Sequence, residues 1–401
     1  PHIPCTYRPC RPEEAMFRSF VLLLLGLPAA LAAQTETSRW EFAGVPSLNY
    51  DADEGFGYGA AVELYRHAPG AKPYKFTLQP NVFLTTGGRR DFTLFFDAPQ
   101  LVPGWRMDAF VGSEQQIASP YYGVGNDVPY DSLLEVGNPH FYRFGRTRRQ
   151  VLGNAQRRVG ETPVRLLVGA GAAHVQVDPT PNDTGTTLLA ERFAGSPIPD
   201  GWSNAVRGGI IWDTRDREVG PRRGVWSDVI VQRFDELLGS DAEYTRVTAT
   251  DRRYFPLGGR VTYAQRLLLQ NVWGDAPFYD LFIVESSFKR QEGLGGAKTL
   301  RGLPKNRYVG KGMALANLEA RWRAADFRAA GRPLHLVVSG FVDSGRVWEE
   351  GVVLSELLSD HHVGFGGGLR VGMGDNFVVA LDLAHSREAG LPFYIGLGYL
   401  F

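Results

Sequence analysis

Two groups of residues in this sequence have the types and spacing that catalysis or metal binding uses. Asp213 and Asp216 could act as a pair of catalytic carboxylates, and the adjacent His361 and His362 could bind a metal ion. Arg215 lies between the aspartates, however, and the Pro-Arg-Arg-Gly that follows is typical of a turn. Adjacent strand residues point to opposite faces, which disfavours a metal ion shared by the histidines. The sequence also lacks the Gly-Xaa-Ser-Xaa-Gly, His-Glu-Xaa-Xaa-His and P-loop motifs, so we predict no enzyme activity, no catalytic or metal-binding residue and no cofactor.

A third group centres on Arg301, which lies beside Gly302 in a glycine-rich stretch. A guanidinium is a planar fork that cannot lose its charge, so burying it is costly unless a carboxylate meets it. Asp343 and Glu319 are the two candidate carboxylates downstream. On the residues alone, an interior ion pair and a solvated surface arginine both remain open.

Strands must position these residues, because the hydrophobic period is two nearly throughout the chain. Glu319 and Asp343 fall on the polar faces of their strands, which would be the lumen of a membrane barrel. The last strand alternates most clearly and ends the chain on an aromatic residue. Its apolar face is predicted to hold Phe393, Ile395, Leu397, Tyr399 and Phe401.

The periodicity predicts an all-β fold, a sixteen-stranded antiparallel transmembrane β-barrel with a long in-folding loop between its eleventh and twelfth strands. The region 138–162 could hold one strand or two. The three longest connections, 118–137, 178–202 and 274–307, all join an odd strand to the next even one, which places them on the extracellular side. The predicted strands are 44–51, 56–67, 73–86, 90–98, 104–117, 138–149, 163–177, 203–213, 224–235, 243–255, 260–273, 308–323, 333–348, 361–373, 376–386 and 391–401.

The composition and the amino-terminal region are typical of an exported membrane protein. Residues 16–33 have the charged, apolar and small-residue parts of a signal peptide, and 1–15 are predicted to be non-native sequence read through upstream. The only two cysteines, Cys5 and Cys10, fall in that upstream stretch. Residues 34–43 would be a short periplasmic segment and 44–401 the barrel. Basic and acidic residues are equal at 43 each, so no charge imbalance predicts nucleic-acid binding.

Four motifs resemble the Omp85 superfamily, the bacterial surface antigen D15 or BamA/TamA family of barrels. Leu300-Arg301-Gly302-Leu303 resembles the tip of the family's sixth extracellular loop, and Phe341-Val342-Asp343-Ser344-Gly345 resembles its strand motif. The segment Pro46–Tyr50, turning into Phe56–Gly59, is similar to its first hairpin. The resemblance covers residues 44–401. A turn motif of the family is matched by Asp213, Arg215, Asp216, Pro221 and Gly224.

The resemblance implies that the loop folds back into the lumen and that Arg301 pairs with Asp343 and Glu319. It further implies a barrel in the Gram-negative outer membrane that assists the insertion or translocation of protein or lipid. Weak pairing between strands 44–51 and 391–401 would open a lateral seam. The chain departs from the family at Leu303, where an aromatic residue is usual, and in an expected absence of POTRA domains before the barrel.

The implied partners are outer-membrane lipid and lipopolysaccharide, a protein or lipid cargo and a periplasmic accessory protein, with the barrel itself monomeric. Two alternatives remain: a passive pore or structural barrel plugged by its own loop, and an outer-membrane barrel enzyme. The arginines near 146 could face the lumen or lipopolysaccharide phosphates, but we predict a solvated rim for them. These are Arg143, Arg146, Arg148 and Arg149.

Overall fold

The computed structural model describes residues 38–51, 55–71, 73–181, 185–329, 331–374 and 377–401. The predicted signal peptide at 16–33 and the stretch 1–15 lie outside the described residues, as do the first four residues of the predicted 34–43 segment. Within the described ranges, no helix is long and apolar enough to cross a membrane.

The described residues form one large antiparallel sheet of sixteen strands. Each strand pairs with the strands of this sheet that precede and follow it along the chain, so β11 pairs with β14. The two-residue strands β12 and β13 pair only with each other. The strands are β1 Trp40–Asp51, β2 Gly55–Arg66, β3 Phe76–Thr85, β4 Arg90–Val102, β5 Trp105–Pro120, β6 Arg143–Arg158, β7 Val164–Asp178, β8 Gly201–Asp213, β9 Gly224–Phe234, β10 Tyr244–Gly258, β11 Val261–Gly274, β12 Ile283–Val284, β13 Gln291–Glu292, β14 Gly312–Ala329, β15 Arg332–Trp348, β16 His362–Met373, β17 Phe377–Ser386 and β18 Phe393–Leu397.

Helical structure is confined to the connections. Three short helices are described: α1 Ser132–Gly137, α2 Leu188–Arg192 and α3 Phe278–Leu281. Single 3-10 turns lie at Glu236–Leu238 and Leu354–Glu356. Asp131 caps α1 by accepting a hydrogen bond from the Leu133 amide, and Thr187 caps α2 in the same way through the Ala190 amide.

The two faces of the sheet have an inverted polarity compared with a soluble sheet. Along β14, Glu319 and Arg321 are buried, while Leu318 and Trp322 are exposed by 39% and 52%. The same alternation recurs around the sheet, because successive side chains of a strand point to opposite faces. The charged face is therefore the inner one. Its most deeply buried large side chains include Arg146, Arg246, Arg266 and Arg370.

Several predicted strand boundaries differ from the observed ones by a few residues, and the strand predicted at 308–323 runs from Gly312 to Ala329. Three further boundaries are also wrong. The strand predicted at 138–149 runs from Arg143 to Arg158, because α1 and the turn after it occupy the residues before Arg143. The first strand begins at Trp40, so part of the predicted 34–43 segment belongs to the sheet. The last strand ends at Leu397, because Gly398 has φ +77°, a left-handed conformation that ends the extended strand.

An apolar cluster brings the first two strands of the sheet close to its last two strands. Ala43 on β1 and Tyr65 on β2 share this cluster with Tyr74 and with Phe377 on β17, and Leu397 of β18 packs against it. β1 has twelve residues and β18 has five. The short strand at this junction is therefore the last one, whereas the sequence predicted a short first strand.

Candidate functional site

The connection between β11 and β14, residues 275–311, packs against the charged face of the sheet. It contains α3, β12 and β13, and its apolar residues form part of two buried clusters. Leu294, Leu300 and Leu303 pack there against strand residues such as Leu268 and Val347. We call this stretch the 275–311 segment. It contains Arg301.

Arg301 has no exposed surface and binds Asp343 through three hydrogen bonds. Its Nε donates to Asp343 Oδ2 at 2.7 Å, its Nη2 donates to Oδ1 at 3.0 Å, and its backbone amide donates to Oδ2 at 3.0 Å. The third guanidinium nitrogen lies 3.4 Å from both Glu319 Oε1 and Asp382 Oδ2. The guanidinium also stacks on Phe341, 3.4 Å from the ring centroid. The structure thus brings Arg301, Asp343 and Glu319 together.

Two further arginines complete the charge balance around Arg301. Arg370 donates to Asp382 Oδ1 at 2.7 Å and to Glu319 Oε1 at 3.2 Å. Arg321 donates to Glu319 Oε2 at 2.7 Å. Three guanidinium groups therefore face three carboxylates, and no member of this buried network carries an uncompensated charge. Burial alone would lower the pKa of Arg301, but the hydrogen bonds and charge of Asp343 raise it above its ordinary value.

Glycine residues make the close approach of the 275–311 segment possible. Gly302 has φ +101°, and its amide donates to the Tyr394 hydroxyl at 3.1 Å while its carbonyl accepts from Ser386 Oγ at 2.7 Å. A Cβ added at Gly364 of β16 would overlap the carbonyl oxygen of Arg301. The glycine on the strand thus provides the space into which the arginine backbone fits.

The first half of the segment, which contains α3, is held by acidic side chains that bind arginines of the sheet. Asp280 on α3 accepts from Arg148 at 3.0 Å, from the Tyr244 hydroxyl at 2.7 Å and from Ser203 Oγ at 2.5 Å. Glu292 pairs with Arg146 at 2.9 Å, and Glu285 lies 3.2 Å from Arg207. The segment consequently presents acidic groups to β6 and β8 and a basic group to β14, β15 and β17.

These contacts show that the predicted solvated rim of arginines is wrong for Arg146 and Arg148. Arg146 and Arg148 are buried and bind the 275–311 segment, whereas Arg149 remains exposed. Alternation along β6 places Arg146 and Arg148 on the inner face and Arg149, which follows Arg148, on the outer one. The sequence showed four cations close together but not where the connecting segment would supply their counter-charges.

The aspartates of the turn motif have separate structural partners. Asp213 accepts two hydrogen bonds from Arg215, at 2.9 and 2.7 Å, and that guanidinium lies 4.0 Å from the Trp226 ring centroid. Asp216 accepts from the Arg222 amide at 3.0 Å. Pro221 is buried in the turn, and Gly224, at φ +105°, approaches the Thr214 carbonyl too closely for a Cβ.

His361 and His362 also contact different groups. His361 Nδ1 is 2.9 Å from Ser344 Oγ, and His362 Nδ1 is 2.6 Å from Glu388 Oε1. Across the described ranges, no group of three or more His, Cys, Asp or Glu side chains is placed to hold a metal ion.

The terminal aromatic residues do not share one face. Phe393 and Ile395 are exposed on the outer face, while Phe401 is buried and clusters with Tyr254 and Ala264. Arg321 donates to the Phe401 carbonyl at 3.2 Å. The turn at Gly398 redirects the last residues inward, so the predicted single face of Phe393, Ile395, Leu397, Tyr399 and Phe401 is wrong for the last two.

Sequence reasoning missed Arg370, Asp382, Asn317 and Tyr394 as neighbours of Arg301. Asn317 donates to Asp343 Oδ1 and to the Thr299 carbonyl, both at 2.7 Å. Alternation alone places Arg370 and Asp382 on the polar faces of their strands, so the sequence indicated that both face the inside of the sheet. Their contact depends on the strand register, which pairs Arg370 with Ala380 and cannot be predicted from periodicity.

A large antiparallel sheet with a charged inner face and a long connection bound to that face is the architecture of Omp85-type proteins. The family model of the Omp85 superfamily domain matches residues 153–399, more than half of the chain. The chain therefore belongs to the Omp85 superfamily. At the family level, this membership points to the bacterial outer membrane and to protein insertion or translocation there.

Two solved structures share the fold. BamA from Haemophilus ducreyi lacking POTRA domains 1–3 is 16% identical with a TM-score of 0.54, and the match covers 91% of this chain and 70% of that one. CdiB from Escherichia coli is 10% identical with a TM-score of 0.55, covering 92% of this chain and 62% of that one. Comparison with curated proteins finds no match.

Proposed function

We propose that residues 44–401, with the preceding part of β1, form a closed outer-membrane β-barrel that is exported by the signal peptide at 16–33. The inverted polarity of the sheet is the observation that carries this proposal. Lipid favours the apolar outer face, and closure would leave no open sheet edge in the hydrocarbon region. The apolar cluster of Ala43, Tyr65 and Phe377 supports closure, because it brings the two ends of the strand order together.

The exposed tryptophans lie at two levels along the strands, as expected for the two membrane–water interfaces. Trp202 and Trp273 lie at one end of β8 and β11. Trp212 lies at the other end of β8, and Trp322 of β14 pairs with Val261 at the other end of β11; each tryptophan is about half exposed on the outer face. Aromatic residues are enriched at both membrane–water interfaces of such barrels. The strand segments between these tryptophans are therefore proposed to span the hydrocarbon layer.

In this barrel, the 275–311 segment would occupy the lumen, and the pairing of Arg301 with Asp343 and Glu319 would lock it there. We propose that the barrel is non-enzymatic, as members of the superfamily are, and that it assists insertion or translocation of protein or lipid together with lipid and accessory or cargo proteins. The five-residue β18 offers few hydrogen bonds to a neighbour, which favours a seam that opens beside it. Incoming strands could pair at such an edge.

A photocrosslinking experiment tests this role. A photoreactive residue at Ile395, on the outer face of β18, is expected to capture a nascent outer-membrane protein during its assembly. The matched control is Val229, equally outward on β9 and far from the sheet ends in strand order. Capture at Ile395 and not at Val229 supports the role. Lipid as the sole adduct at both positions contradicts it.

A passive barrel plugged by its own segment is the second candidate, and the density of ion pairs holding the segment favours it. Asp280, Glu292 and Arg301 anchor the segment at three separate places. A permanent plug would capture no nascent protein at Ile395, so the same experiment separates the two candidates.

A further inference from the structure

A cavity of about 360 Å³ lies between the 275–311 segment and the carboxyl-terminal residues. Its walls include Ser286–Gln291 and Lys298 from the segment, the β8–β9 turn at 218–220, and Leu397–Phe401. It also reaches Tyr65, Tyr74 and Phe377, the residues that join the two ends of the strand order. The network around Arg301 does not explain this cavity.

The lining of the cavity is strongly basic, with eight arginine or lysine side chains and three carboxylates. The three carboxylates are already engaged. Asp213 is bound by Arg215, Glu218 accepts from Arg106 at 2.8 and 3.1 Å, and Glu63 accepts from the Tyr65 hydroxyl. Asp213 and Glu218 are therefore paired with arginines, whereas Glu63 keeps its negative charge and acts on Lys289 only from beyond ion-pair distance.

Four of the lining cations have no carboxylate within ion-pair distance in the part of the chain that the structure describes. These four, the unpaired cations, are Arg165, Arg266, Lys289 and Lys298. Arg266 donates only to neutral oxygens, those of Asn317, Gln291 and the Lys298 backbone. Lys289 donates to Gln79 at 2.7 Å, and Lys298 to the Leu397 carbonyl at 3.4 Å.

Both lysines line the cavity and are exposed to solvent, yet the protein atoms crowded around them disfavour their charge. Burial among protein atoms, followed by the neighbouring charge of Lys289, lowers the pKa of Lys298 to about 8. Burial also lowers the pKa of Lys289, with Glu63 and Asp97 opposing the shift. Other inner arginines are paired with a carboxylate, such as Arg148 with Asp280, although Arg246 outside the cavity also donates only to neutral oxygens, those of Gln232 and the Asp280 backbone.

We propose that this cavity binds a phosphate-bearing group, with Lys289, Lys298, Arg266 and Arg165 supplying its counter-charge. Ammonium and guanidinium groups form charge-assisted hydrogen bonds with phosphate oxygens, and these four cations line one cavity. The cavity volume admits a headgroup but not the acyl chains of a lipid. Its apolar side, at Tyr65, Phe377 and Leu397, lies where the ends of the sheet meet, and acyl chains would leave toward the membrane there.

This inference deepens the proposed function, because it names a phosphate-bearing lipid as the ligand of a barrel proposed to handle protein or lipid. It rests on the sheet being a barrel, but not on capture of a nascent protein. A barrel that captures protein at Ile395 and binds no phosphate refutes the inference alone. A barrel that binds phosphate and captures nothing refutes the insertion role alone.

Native mass spectrometry of the full-length barrel tests the proposal. The barrel is placed in nanodiscs of phosphatidylglycerol, extracted into detergent and weighed, and a second sample in detergent receives inorganic phosphate. The variant K289Q/K298Q removes the two lysine charges and keeps two hydrogen-bonding side chains. The matched control is K311Q, because Lys311 pairs with Glu350 in the connection next to β14 and does not line the cavity.

The wild type and K311Q are expected to retain about one phosphatidylglycerol, and K289Q/K298Q to retain at least tenfold less. Binding of inorganic phosphate with the same loss in the double variant, but without lipid, supports the phosphate site and assigns it to a free anion. Equal retention by K289Q/K298Q and K311Q overturns the proposal, as does the absence of both ligands from the wild type.

A measurement on the unaltered protein keeps the proposal testable if K289Q/K298Q fails to fold. An amine-reactive reagent should acylate Lys289 and Lys298 of the wild type more slowly when phosphate is present, while Lys311 is unaffected. Peptide mass spectrometry reads each site separately. Equal protection of all three lysines, or of none, contradicts a phosphate site in the cavity.

Discussion

Replacing Arg301 with glutamine is expected to convert a closed barrel into one with a large and steady conductance. The substitution removes the positive charge that Asp343, Glu319 and Asp382 share, and leaves the buried network with an excess negative charge. Breaking a buried ion pair by removing one partner costs about 3–5 kcal/mol. The glycine-rich stretch around Arg301 should therefore leave the lumen while α3 stays anchored through Asp280, and planar-bilayer recording of R301Q would report the opening.

The matched control is R233Q, because Arg233 binds Asp235 and Glu243 at the exposed end of β9. Exposed pairs contribute little to stability, so R233Q should conduct like the wild type. R301K should fall between the wild type and R301Q, since an ammonium keeps the charge but not the two-pronged contact with Asp343. If R301Q conducts no more than R233Q, the pairing of Arg301 does not hold the segment.

Replacing Asp280 with asparagine is expected to lower the free energy of unfolding by about 3 kcal/mol. The carboxylate accepts from Arg148, Ser203 and Tyr244 and is almost fully buried. Asparagine keeps the shape and one acceptor oxygen, but it leaves Arg148 without a counter-charge inside the protein. Urea unfolding in detergent, followed by the gel mobility of folded and unfolded forms, measures the difference.

The control for this substitution is D235N, since Asp235 is a partly exposed carboxylate that also binds an arginine and also caps a short turn. Its loss should leave the urea midpoint close to that of the wild type. A midpoint for D280N that matches D235N would show that the first half of the 275–311 segment is not anchored through Asp280.

Periodicity predicted much of the fold because the alternation of polar and apolar residues is local information. It predicted the number of strands in the large sheet and the inner positions of Glu319 and Asp343. It could also place Arg301 in a segment between two strands. The pairing of Arg301 with Asp343 was an implication of the family resemblance, and the contacts between them agree with it.

The features that the sequence could not predict depend on register and on single backbone dihedrals. Asp382 reaches Arg370 and Arg301 only through the register of β16 with β17. The inward turn of Phe401 depends on the left-handed conformation of Gly398, one glycine among 48 in the sequence. The basic cavity is likewise formed by residues distant in sequence, from Arg165 on β7 to Phe401 at the end of the chain.

The central claim is that the 275–311 segment lies inside the barrel, and cysteine labelling at the cell surface tests it most directly. Cys5 and Cys10, the only cysteines of the sequence, are both replaced by serine, so a single introduced thiol can be followed. Leu303, which follows Gly302 and is 1% exposed, is replaced in L303C, and Leu237, 95% exposed in the β9–β10 turn, is replaced in the control L237C. A membrane-impermeant maleimide should label L237C rapidly and leave L303C unlabelled on intact cells, and adding R301Q to L303C should expose its thiol. Labelling of L303C at the rate of L237C, with Arg301 intact, would contradict the account.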